Sequence, residues 1–198
     1  MQSEWCNPNR IPAIRILLLI NTIILSADYC YSLSFEENGF IENAQVLVLI
    51  ISMTGFLYAA LTSQIRSFAL LCAVICFAFL LREVDMEDLN IPSLAITLFS
   101  GDGKYVTLLT LLCPTLYLTL KNHSLSFLVR NIAFSFKKLA ALITLFFILS
   151  WIFDKSVIQT NQNAMLEELF ELNGYILIFF IALLYSNHLS QRQIQRAD

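Results

Sequence analysis

The chain has 198 residues, of which 58% are hydrophobic and only 14% charged, with a mean hydropathy of +0.70; soluble domains carry about 25% charged residues and about 45–50% apolar ones. That excess has no soluble core to hide in, and long apolar runs broken by short polar bursts predict the all-α class, a polytopic transmembrane helical bundle. An acidic pI of about 5.4 argues against a nucleic-acid-binding domain, and five cysteines without CxxC or Cys/His metal spacing exclude a disulfide scaffold.

Apolar runs bounded by charge place six spans, at about residues 11–27, 44–62, 67–81, 105–120, 139–153 and 173–189. Each falls short of the roughly 20 residues that cross about 30 Å of hydrocarbon, so several helices are expected to extend by a turn into their polar flanks. The first span follows Arg10 and Arg15 and competes with a signal-peptide reading; Asn21 is its most polar deep residue. An acidic cluster with Glu36, Glu37 and Glu42 precedes the second span. There Asn38, Glu42 and Gln45 follow i, i+4, i+7 spacing and continue to Ser52 as a polar strip.

The third span holds Cys72 and Cys76 on one face, read as packing residues, and ends in Arg82, Glu83, Asp85, Glu87 and Asp88. Acids at a helix C-terminus meet the negative end of its dipole. Arg82 offsets one of them, and something cationic would resolve the rest. Pro92 then opens a short apolar helix, about 92–99, that stops at Gly101 and suits the outer membrane surface. In the fourth span Pro114 frees the Thr110 carbonyl, and Thr107, Thr110, Thr115 and Thr119 are expected to bond the freed groups. Residues 124–138 read either as a basic amphipathic helix on the inner leaflet or as the start of the fifth span. Glu167, Glu168 and Glu171 precede the sixth span.

Sorting Lys and Arg by side gives nine on the face holding both termini and three on the other. The positive-inside rule makes the first face cytoplasmic, N-in and C-in, as in a bacterial inner-membrane protein. Thirteen of the fifteen acids fall outside, so the faces carry formal charges of +7 inside and −10 outside.

If the ends of spans two, three and six are neighbours, Glu42, Glu83, Asp85, Glu168 and Glu171 surround an outer pocket supported by Asn38, Gln45 and Arg82. Carboxylate and amide oxygens suit a divalent cation, Ca²⁺, Mg²⁺ or Mn²⁺. The alternatives are a solvated acidic rim and a catalytic acid pair. Neither zinc nor haem is expected: His123 and His188 lie at the cytoplasmic boundary without HExxH or HxxxH context.

Glu167-Glu168 at a helix start resembles the opening of the EExxxR motif of the CAAX-protease and bacteriocin-processing family. The resemblance covers that dipeptide alone. Leu172 stands where the motif needs Arg, no FxxxH or HxxxN element follows, and the family's activity is not carried over. The expectation is therefore a single membrane domain in the lipid bilayer whose outer acidic face recognises a cation or cationic group, as a metal, a lipid head group or a membrane protein partner. A membrane enzyme acting on a lipid or isoprenoid-linked substrate, and a non-enzymatic partner subunit or immunity-type protein, are the competing classes.

Overall fold

The structure, a computed structural model, describes residues 19–22, 40–62, 66–84, 92–123, 134–160 and 162–194. Regular structure among them is entirely α-helical: α1 Phe40–Thr62, α2 Arg66–Glu83, α3 Ser93–Phe99, α4 Gly101–Asn122, α5 Phe134–Asp154 and α6 Asn163–Ile194. Residues 19–22 form a further helical turn within the first predicted span.

The helices run past the apolar cores into polar flanks. Most of all, α6 begins at Asn163 rather than 173, so Glu167, Glu168 and Glu171 lie inside it. Residues 134–138 belong to α5, whereas 124–133 lie outside the described residues. Phe40–Thr62, Gly101–Asn122 and Asn163–Tyr185 are long and apolar enough to cross a membrane. Helices α2 and α5 have apolar middles but charged ends, Arg66, Arg82 and Glu83 on one, Lys137, Lys138 and Asp154 on the other.

The chain divides into two compact units. In the first, residues 1–45 and 132–180, α5 and α6 form an antiparallel hairpin. Its pairs climb α6 as they descend α5: the rings of Phe153 and Phe170 stack with centroids 5.6 Å apart, Ser150 meets Glu171, and Phe147 lies 5.5 Å from Tyr175. From Glu171 to Leu177 every residue of α6 is buried, which makes it the central helix of this unit.

Helix α5 ends in a Schellman motif, with Val157 N–H bonding the Ile152 carbonyl and Ser156 N–H that of Phe153. Ser156 takes the left-handed position at φ 51°, where a side chain is strained. Ser156→Gly is expected to stabilise the protein by about 0.5–1 kcal/mol, read as a Tm rise of about 1–4 °C in detergent. A fall would show that the turn is held by something the serine itself does. The loop is then stitched to α6, because Asn163 Oδ1 accepts from Thr160 N–H and Oγ1, and its Nδ2 donates to the Ile158 and Phe153 carbonyls.

The second unit comprises residues 46–131 and 181–198. Ala59, Ala60 and Ala69 let backbones approach closely and leave room for Tyr185, which meets Phe56 and Phe68. Helix α4 packs on α2, and short α3 folds back on α4. That corner depends on glycine: Gly101 has φ 50°, and a Cβ on Gly103 would collide with the Thr97 carbonyl. Thr107 Oγ1 then donates to the Leu98 carbonyl across the corner at 2.8 Å. Pro92 immediately precedes α3 and occupies its N-cap.

The other α4 threonines do not behave as expected. Thr110, Thr115 and Thr119 donate to the carbonyls of Val106, of Leu111 and Leu112, and of Thr115, so none serves the Thr110 carbonyl that Pro114 frees. Each hydroxyl reaches back along its own helix to the preceding turn, a shorter path than any to the proline site. Only 6% of the α4 span is buried within the protein, against 50% for Asn163–Tyr185. An apolar helix so exposed offers a surface suited to lipid. Lys104 beside Tyr105 and Lys121 beside Tyr117 mark its two ends, about 25 Å apart at 1.5 Å per residue, close to the thickness of the hydrocarbon layer.

Candidate functional site

Helix α1 has a buried stripe at helical spacing: Ile41, Gln45, Leu49, Ser52, Phe56 and Ala59. Two members, Gln45 and Ser52, come from the polar strip visible in the sequence. Ser52 satisfies itself by donating to the Val48 carbonyl at 2.7 Å. Gln45 does not. It is 0% exposed, and its Nε2 donates to both the Glu168 backbone carbonyl at 3.1 Å and Glu168 Oε2 at 2.8 Å. Its Oε1 is buried without a hydrogen-bond partner, a condition that costs roughly 1–3 kcal/mol.

Glu171 lies one helical turn beyond Glu168 on the same face of α6, and such residues stand about 5–6 Å apart at Cβ. It is only 2% exposed, and Ser150 Oγ of α5 donates to its Oε1 at 2.7 Å. Two residues on, buried Asn173 exchanges a pair of hydrogen bonds of 2.8 and 2.9 Å with Asn21 and donates to the Leu169 carbonyl. Thus α6 sends Glu168 to α1, Glu171 to α5 and Asn173 to the first-span turn. In hydrocarbon such links are worth about 0.6–1.7 kcal/mol each. They fix which helices surround α6, and they bring carboxyl and amide oxygens together near its N-terminal half.

Of the residues singled out in the sequence, Gln45, Glu168 and Glu171 enter this cluster. Glu42 is half-buried, one turn before Gln45 on the same strip. Glu83 and Arg82 belong to the second unit, where Arg82 Nε lies 3.8 Å from Glu83 Oε1 and offsets it as expected. Asn38 and Asp85 lie outside the described residues. Among the described residues no three His, Cys, Asp or Glu side chains group closely enough to hold a metal ion. Ser150 went unnoticed because a lone serine in an apolar run carries no spacing signal. The sequence sets Asn173 at the start of the sixth span, whereas it lies well inside α6.

Set against known proteins, the chain matches no family model, no curated protein and no solved structure, so its function is read from its own residues.

Proposed function

We propose that this is a polytopic inner-membrane protein with six spans and both termini cytoplasmic, whose cluster on α6 recognises a cation or a cationic group at the outer side of the membrane. The observation that carries the reading is Glu171. A carboxyl group 2% exposed, inside a helix apolar enough to span a membrane, is expensive to keep and marks function by default. Glu168 beside it doubles the negative potential, and Gln45 adds amide oxygen. The outward assignment rests on the charge segregation of the loops.

Thermal unfolding of the purified protein in mild detergent tests the proposal. Tm is expected to rise with added MgCl₂, CaCl₂ or ammonium salts at fixed ionic strength, and the rise should disappear in Glu168→Gln/Glu171→Gln. Arg82 offsets Glu83, so Glu83→Gln should respond like the wild type. An unchanged response in the double variant removes the cluster from cation recognition and leaves its bonds as helix-to-helix fastening alone.

A further inference from the structure

From the same cluster we infer that the ligand is an N–H donor, a primary ammonium group, rather than a bare metal ion; this deepens the cation reading and rests on it. Two carboxyl groups alone define no ligand. The independent observation is Gln45, whose carboxamide is wholly buried, held by its nitrogen against Glu168, and left with an oxygen that accepts nothing. Folding ordinarily satisfies such an atom or replaces it with an apolar one. An unfilled acceptor beside a carboxylate calls for a group that brings hydrogen and positive charge together.

An alkylammonium head does so with three N–H bonds and one charge. Gln45 Oε1 would take one bond, and the carboxylates of Glu168 and Glu171 would face the charge. A divalent metal fits less well. Ca²⁺ and Mg²⁺ need about six or more oxygen ligands, and Glu168 Oε2 and Glu171 Oε1 are already engaged by Gln45 and Ser150. A quaternary ammonium carries the same charge but has no N–H to give Gln45. Hydrogen donation therefore separates the candidates more sharply than charge.

The experiment compares methylammonium, tetramethylammonium and magnesium chlorides on the wild-type protein in detergent, with Tm as the readout. Methylammonium is expected to raise Tm by about 5–10 °C at a hundredfold excess over half-saturation, with tetramethylammonium much weaker. Near-isosteric Gln45→Met should erase the difference, and the wild-type arms decide should that variant fail to fold. Nanodiscs of phosphatidylethanolamine against phosphatidylcholine locate the source: a higher Tm in the first identifies a lipid head group, and a response to free amine alone identifies a soluble one. Equal shifts from methylammonium and tetramethylammonium, or a response to magnesium alone, overturn the ammonium assignment while cation recognition stands. No response to any cation overturns both.

Discussion

Gly174→Leu is expected to lower Tm by roughly 2–12 °C in detergent, an overpacking cost of about 1–3 kcal/mol. A Cβ at Gly174 would already stand 3.1 Å from Cζ of Phe147, and the longer side chain must displace that ring from Tyr175. Gly174→Ala separates the opposing terms. Replacing a mid-helix glycine gains about 0.5–1 kcal/mol, while the Phe147 ring edge needs to give by only a few tenths of an ångström. Alanine should therefore be near neutral and leucine severe. Equal, small effects from both would mean that the α5–α6 hairpin is not packed through this contact.

Glu171→Leu is expected to cost about 1–2 kcal/mol, because Ser150 loses its buried acceptor, while Glu171→Gln keeps an oxygen in place and costs much less. Ser150 can turn back to a carbonyl of its own helix, which holds the penalty to the lower part of the range. Adding Ser150→Ala to Glu171→Leu removes both partners and should recover most of the loss. A double-mutant cycle on thermal or denaturant unfolding reads the coupling directly. Additive single effects would deny the bond its energetic role.

What was legible in the sequence was whatever neighbouring residues decide among themselves. Pro92 and Gly101 bracket α3 because a fixed φ and a positive φ are local demands. Gln45 and Ser52 share a face by helical period alone. The full length of α6 is less legible: the sequence sets Glu167, Glu168 and Glu171 at the helix start, ahead of the apolar span, whereas α6 already begins at Asn163 and partners on other helices hold Glu168 and Glu171 within the bundle. Those partners, Gln45 and Ser150, are far away in sequence. The threonines of α4 show the reverse error, since proximity to Pro114 suggested a bond to its freed carbonyl and each hydroxyl instead took the nearer turn.

The central place of α6 in the first unit also sets an order of assembly. Asn21, Gln45 and Ser150 all leave the ribosome before α6, yet each finds its interhelical partner there. In the proposed six-span topology, earlier segments would wait in lipid for those partners until that helix arrives, while α2, α3 and α4 can pack from closely spaced stretches of chain. Chains halted before Asn163 should thus be recognised as incomplete by membrane quality control, however well their earlier helices have inserted.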